Sequence, residues 1–292
     1  TTDTDKPLEA VRMQLTGQLS ENYDLYYSVL QNGSWTGLVK NGETAGVEGQ
    51  GLRVDGIRLA VTGKDAGLPP EGTHMGRYID PSKPMVALTF DDGPSKYTPQ
   101  VLAALEKCDA KATFFVTAQD ANQDYLSYLT DIEAAGHQIA LHSASHSYSR
   151  IYSSTENFWL DIKALRATLA NYINVDAIHW LRFPGGSTNT VSRRYGGKGL
   201  MKQLKAEVEQ KGWQWVDWNV CAEDAVGGKP SAGTIFRNIV RETGEQTQCI
   251  VLMHDSATTH TTAEALPDII QWYKDNGFAF LTVEQAVPLP TT

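Results

Sequence analysis

Cysteine is scarce: only Cys108, Cys221 and Cys249 occur in 292 residues, and no two share a C-x-x-C spacing. That count argues against both a disulfide framework and a thiolate metal site. Runs of Lys or Arg are also missing, and 34 acidic against 25 basic residues give a net charge of −9. Such a chain lacks the electrostatic footprint that holds phosphates, so nucleic acid is not an expected partner. Apolar stretches such as Ile250–Met253 fall far short of the roughly 20 residues a membrane helix needs, so no membrane span is expected. No leader is visible. The ends, Thr1-Thr2-Asp3-Thr4-Asp5 and Pro288-Leu289-Pro290-Thr291-Thr292, read as those of a trimmed or matured chain, so the missing leader does not argue for the cytoplasm. What is present is enough apolar material for a core, 41% hydrophobic against 20% charged, which excludes a disordered or fibrous chain. The length suits one large domain or two unequal ones.

Two textures divide the chain. Tyr23-Asp24-Leu25-Tyr26-Tyr27-Ser28-Val29-Leu30 and Leu52 to Val61 alternate as half-buried strands do. Glycines at 33, 37, 42, 46, 49 and 51 punctuate the stretch between them. The expectation is a small all-β module over 1–72, a linker over 73–83, and a catalytic domain over 84–292. From Met85 onward, seven short apolar runs alternate with helical patterns, beginning near Met85, Ala112, Gln138, Ala177, Gln214, Cys249 and Ala279. Buried parallel strands with crossover helices look like this, so the second part is expected to be α/β and barrel-like. Three helices are legible. Thr98-Pro99 reads as an N-cap with proline at the first helical position, followed by Val101, Leu102, Leu105 and Cys108. Phe158, Ile162, Leu165, Leu169 and Tyr172 make a second stripe; Leu266, Ile270 and Tyr273 make a third, stopped by Gly277.

The reactive residues gather where these runs end. Asp91 and Asp92 close the first, His142 the third, Arg182 the fourth and His254 the sixth, while Trp218 follows the fifth. In βα barrels the C-terminal rim of the strands is where active sites are built. His142-Ser143-Ala144-Ser145-His146 places two imidazoles four apart, on one side of a helical turn. With one aspartate as third ligand, a divalent cation would keep an open position for water, the arrangement of a catalytic site. Neighbouring residues leaving a strand point to opposite sides, so one of the paired aspartates could bind the metal while the other faces the water from another direction.

In order, Thr89-Phe90-Asp91-Asp92-Gly93-Pro94, His142-Ser143-x-x-His146, Arg182-Phe183-Pro184, Trp218 with Asp224, and Leu252-Met253-His254 resemble the five motifs of the NodB-type polysaccharide deacetylases, carbohydrate esterase family 4. The resemblance covers about Pro84 to Val287. It implies a distorted (β/α)7 barrel, with Asp91 as general base and Asp92, His142 and His146 as ligands of a divalent metal. Zinc is the expected ion, and cobalt or nickel would also fit. His254 would be the general acid, with Arg182 and Asp224 orienting the acid–base pair; Asp217 is the other candidate for the part given to Asp224. Pro184, Gly185, Trp218 and Leu252 would face the substrate, and the Gly185 N–H would help hold the oxyanion. Two positions depart from the pattern: Gly185 stands where many relatives have Tyr, and Ala225 where many have Trp. The sequence Gly185-Gly186-Ser187-Thr188-Asn189 resembles a firmicute-like subgroup.

The first part has its own likeness. Gly33-Ser34-Trp35-Thr36-Gly37, Asn41 to Gly46 and Gly49-Gln50-Gly51-Leu52-Arg53 resemble the clostridial hydrophobic repeat with tryptophan, although Leu38 sits where a second Trp is common. Wall or carbohydrate binding is what that implies, with a purely structural β cap as the alternative. Together the resemblances imply a secreted or wall-associated hydrolase that removes acetyl groups from a polysaccharide, foremost N-acetylglucosamine units of peptidoglycan or a chitin-like polymer. An acetyl-xylan esterase and an inactive wall-binding protein are the alternatives.

Overall fold

The computed structural model describes residues 7–69, 76–79 and 84–287. The chain divides into two compact units at Pro84/Met85.

In the first unit, Tyr23–Gln31 pairs antiparallel with Val54–Gly63 along most of its length. Ser34–Trp35 and Val39–Lys40 pair with the other edge of Tyr23–Gln31. That central position explains a difference from the alternating pattern: every residue from Asp24 to Gln31 is buried. The polar alternates are satisfied instead of solvated. Ser28 Oγ accepts from Arg58 Nε at 2.7 Å, and Gln31 Nε2 donates to the carbonyls of Glu9 and Leu52 at 2.6 and 2.8 Å. Residues 76–79, inside the stretch read as linker, form a further strand paired with Gly56–Leu59. The rest of that stretch, 73–75 and 80–83, lies outside the described residues.

In the second unit the strands are β1 (Met85–Asp91), β2 (Ala112–Thr117), β3 (Gln138–Ser143), β4 (Trp180–Leu181), β5 (Gln214–Trp215), β6 (Val220–Cys221), β7 (Gln248–His254) and β8 (Ala279–Phe280). They form one parallel sheet in the order β5-β4-β3-β2-β1-β7-β6, with β8 beside the start of β1. The expected α/β barrel-like sheet is present, curled, and its hydrogen-bonded path runs open from β5 to β6. It holds eight strands among the described residues, not seven. The run expected near Ala177 starts as a 3-10 turn over Val175–Ala177 and becomes strand only at Trp180. The two-residue β6 is too short to carry a periodic signature.

Strand alternation sorts the core. Val86, Leu88, Phe90, Ile139, Leu141, Leu181, Phe183, Val251 and Met253 join the large cluster that also contains helix residues such as Val101, Leu105, Phe158, Ile162, Leu266 and Ile270. Their alternates Ala87, Phe115, Ala140, Trp180 and Val216 form a separate small cluster on the other side of the sheet. Continuing each alternate two residues toward the C-terminal end reaches Asp91 through Thr89, His142 after Ala140, and Arg182 after Trp180. Register completes the alignment: His254 pairs with Asp91 on adjacent strands, and Leu141 with Leu181.

Two helix readings need correction. Thr98 is the first residue of the helix Thr98–Lys107, and its hydroxyl donates to Asp255 Oδ2 at 2.6 Å, making no cap. Tyr172 lies beyond the helix Thr155–Leu169 and is exposed, whereas Phe158, Ile162, Leu165 and Leu169 are buried as expected.

Candidate active site

Arg182 is the centre from which the site is organised. It is fully buried, and its Nη1 donates to Asp91 Oδ1 and to Thr89 Oγ1, each at 2.8 Å. Its remaining donors reach the carbonyls of Val216 and Asp217 at 3.3 and 3.2 Å, and its plane lies 4.1 Å from the Phe115 ring centroid. A guanidinium so enclosed has no freedom to turn, so one oxygen of Asp91 is held and Oδ2 is left for other work. Asp91 Oδ2 lies 3.7 Å from His142 Nε2.

Asp92 approaches the same imidazole. Its Oδ1 is 3.7 Å from His142 Nε2 and 3.5 Å from His146 Nε2. Simple alternation would have sent the two carboxylates to opposite faces. Asp92 instead takes a left-handed backbone, φ 70°, which turns its side chain back toward the rim. The two imidazoles also converge by another route than expected. No helical turn joins them: His142 lies within β3, a bend follows at Ala144–Ser145, His146 comes after it with φ 48°, and helix begins only at Tyr148. Their ring centroids are 5.2 Å apart.

This trio fits a divalent cation. One ligand atom from each of Asp92, His142 and His146 lies within 4.8 Å of the others. Among the described residues, Asp92 Oδ1 is the one buried side-chain N or O atom lacking a hydrogen-bond partner. An orphaned carboxylate oxygen facing two imidazoles is costly unless a cation completes it. His142 Nδ1 lies 2.8 Å from the Arg182 carbonyl, which places the ring proton on Nδ1 and leaves the Nε2 lone pair toward Asp92. Burial pushes both His142 and His146 below the ordinary imidazole value, favouring the neutral, ligating form.

Beside Asp91, on the adjacent strand, stands His254. Its Nδ1 is 2.8 Å from Asp224 Oδ1, and its backbone N–H donates to Asp224 Oδ2 at 2.8 Å. Thr262 Oγ1 adds a third bond to that carboxylate at 2.7 Å. Asp217 is engaged elsewhere, accepting from the Ser187 N–H and hydroxyl at 2.8 and 2.5 Å, so Asp224 is the partner of His254. Burial alone would lower the His254 pKa, but the hydrogen bond and charge of Asp224, with the charges of Asp91 and Asp92, raise it to about 9.

The profile of the polysaccharide deacetylase family matches residues 78–204, and that of the clostridial hydrophobic W repeat matches residues 30–63. The catalytic domain of a peptidoglycan N-acetylglucosamine deacetylase from Eubacterium rectale superposes with a TM-score of 0.67 at 36% identity, covering 73% of this chain and 94% of that one. The chain belongs to the polysaccharide deacetylase family. A peptidoglycan-N-acetylglucosamine deacetylase of Bacillus cereus is 28% identical over 71% of this chain and 72% of its own length. A bifunctional xylanase/deacetylase of Pseudobutyrivibrio xylanivorans is 29% identical over 73% of this chain, which spans only 32% of that protein.

In this deacetylase the remaining expected substrate residues come from the segment after β4, from the segment between β5 and β6, and from β7. Pro184 is buried and its carbonyl accepts from Tyr152 Oη at 2.7 Å. Gly185 is exposed with φ 76°, a conformation that explains glycine at a position where a ring was expected. The Trp218 ring lies 5.6 Å from the Arg182 guanidinium, and a side chain at Gly186 would meet it at 3.0 Å. Leu252 is buried two residues before His254, on the same side of β7. A cavity of about 370 Å³ also touches Trp218, but it is lined by Met85, Gln248 and Cys249 at the opposite ends of β1 and β7.

Asp161 was invisible in the sequence pattern, where it is one acidic residue in a helical stripe. It is buried on the helix Thr155–Leu169 and holds the ligand loop from below. Its Oδ2 accepts from Ser143 Oγ and the Ala144 N–H at 2.6 and 2.8 Å; its Oδ1 accepts from the Ser145 N–H and hydroxyl at 3.1 and 2.6 Å. Ser143 Oγ in turn accepts from the His146 N–H at 2.9 Å. A polar residue within two positions of Ile162 on the inward side of an amphipathic helix was the signal available.

Proposed function

We propose that the deacetylase hydrolyses N-acetyl groups of N-acetylglucosamine units in peptidoglycan or a related β-1,4 polymer, with Asp91 as general base and His254 as general acid. The observation that supports it most is the pairing: Asp91 is fixed by Arg182 and His254 by Asp224, the two occupy register-paired positions on adjacent strands, and Asp91 borders the Asp92–His142–His146 cluster at His142. That cluster would hold the cation, zinc foremost, with cobalt or nickel compatible with two imidazoles and a carboxylate. When bound, the ion polarises an acetyl carbonyl and lowers the pKa of a water.

The chain's own groups supply the proton transfers. Asp91 Oδ1 is occupied by Arg182, so Oδ2 receives the proton from the attacking water. His254 Nδ1 is occupied by Asp224, so Nε2 delivers a proton to the departing amine nitrogen. The Gly185 N–H supports the negative charge that develops on the carbonyl oxygen. Trp218 and Leu252 flank the acetyl methyl. Peptidoglycan is favoured because relatives from Eubacterium rectale and Bacillus cereus are named for deacetylating it. The likeness to the bifunctional xylanase/deacetylase keeps acetyl-xylan as a second candidate, since an ester needs the same groups and has a better leaving group.

For the first unit we infer wall or carbohydrate binding, supported by its match to the clostridial hydrophobic W repeat, and with it a secreted or wall-associated location. Its Trp35 is half-buried with Arg58 stacked 4.9 Å from the ring centroid. The deciding experiment measures acetate release by the metal-loaded protein on peptidoglycan, chitin oligomers and acetyl-xylan. Release from the amino-sugar polymers, abolished by Asp91→Asn, is expected; release from acetyl-xylan alone would replace the amide reading with the ester one.

A further inference from the structure

Gly185 and the loop after His146 meet at one point. A Cβ placed on Gly185 would lie 3.2 Å from Tyr148 Oη and 3.5 Å from its Cε1. Tyr148 opens the short helix Tyr148–Ile151; its ring lies edge-on against His146 at 5.3 Å and stacks on Tyr152 at 6.1 Å. The residue is half-buried, and its hydroxyl makes no hydrogen bond among the described residues. A phenol ordinarily keeps its proton to pH ~10, so at neutral pH it is a donor without an acceptor.

The neighbouring donor is aimed by a second tyrosine. Tyr152 is fully buried, and its hydroxyl holds the Pro184 carbonyl. In a trans peptide the N–H points opposite to the C=O, so the Gly185 N–H is directed away from Tyr152. That N–H has no backbone acceptor among the described residues. Two unspent donors, one phenolic and one peptidic, therefore lie side by side next to a ring of the ligand cluster.

We propose that the Tyr148 hydroxyl is a second donor to the acetyl oxygen, acting with the Gly185 N–H as negative charge builds there. The assignment rests on the deacetylase chemistry above and adds a group that touches the reacting acetyl. It also gives glycine at 185 a second reason: any side chain would displace the hydroxyl as well as strain the backbone.

Tyr148→Phe keeps both ring contacts and removes only the oxygen. The zinc-loaded variant should lose roughly 100- to 1,000-fold in kcat on N-acetylglucosamine oligomers and on 4-nitrophenyl acetate alike, in line with removal of one oxyanion donor. KM, zinc stoichiometry and melting temperature should stay as in the wild type. A loss confined to the oligomers would put the hydroxyl on the sugar and overturn the proposal. So would unchanged kcat on both substrates, or a loss that tracks missing zinc. Acetate affinity, measured by calorimetry on the zinc-loaded proteins, gives a readout independent of turnover. It should weaken about 10-fold in the variant, and equal affinities would overturn the donor role. Wild-type protein that releases no more acetate than Asp91→Asn would instead sink the acid–base reading, which the acetate titration does not depend on.

Discussion

At the scale of single residues, His254 is where opposing effects have to be weighed. Its burial favours the neutral ring, yet Asp224, Asp91 and Asp92 together hold the proton to about pH 9. The folded protein therefore keeps a proton that the unfolded chain releases near 6.5, so the pair's contribution to stability is complete below that pH and is lost as pH rises through about 9. Asp224→Asn in cation-free protein should accordingly lower the melting temperature at pH 6 and leave little difference at pH 10. A pH-independent loss would mean that Asp224 acts through packing alone. In the metal-loaded enzyme the same substitution should move the alkaline limb of kcat to lower pH, since the acid form of His254 then dissociates earlier. Removing the proposed acid and base outright is a blunter test. Asp91→Asn and His254→Ala should each reduce kcat by about 10²- to 10⁴-fold with cation stoichiometry unchanged. Loss of the cation in Asp91→Asn would make Asp91 a ligand instead of a base.

Between residues and the whole lie the elements that aim them, and the bend after β3 is the one that depends most on a distant anchor. Four donors from Ser143, Ala144 and Ser145 end on Asp161, a carboxylate from the helix Thr155–Leu169. Asp161→Asn turns half of that acceptor into a donor, so the bend should loosen and zinc affinity should fall roughly 10- to 100-fold, the range seen for groups that orient metal ligands. Zinc titration with a competing chelator would measure it, and an unchanged affinity would show that the bend holds itself. This anchor also marks how far the sequence could be read. Column positions were legible because strand alternation carries Ala87 to Thr89 to Asp91 and Ala140 to His142, and register then places His254 beside Asp91. Backbone departures were not. Nothing in Asp91-Asp92 announces that the second residue leaves the strand at φ 70°, and two imidazoles four apart suggested a helical turn where a bend followed by φ 48° at His146 does the work. Strands of two residues have no period to detect: β4 and β5 were legible only as apolar runs near Ala177 and Gln214, and β6 not at all. They are pinned by pairing with neighbours, a tertiary effect that local pattern does not contain.

At the scale of the molecule, the two compact units into which the chain divides at Pro84/Met85 should respond separately to what binds each of them. The Asp92–His142–His146 cluster lies wholly in the second unit, so a cation adds stability only there. At a free zinc concentration ~100 times its Kd, the gain is about 2.7 kcal/mol, or roughly 5–10 °C for a unit of about 200 residues. Calorimetry of the full chain should then show one transition that shifts with chelator and one that does not. The same division bears on substrate. Every residue proposed as acid, base or ligand lies beyond Met85, so residues 84–292 alone should match the full chain in acetate release from soluble oligomers. An insoluble wall is a different case, because a second binding unit raises the local concentration of catalyst on it without adding any contact to the reacting sugar. The shortened protein should therefore lose activity on intact wall material selectively, and the loss should shrink as the wall is digested to soluble fragments. Equal activity of the two forms on intact wall would leave the tryptophan-bearing unit as a structural cap, while an equal loss on soluble oligomers would mean that it helps hold the catalytic unit folded.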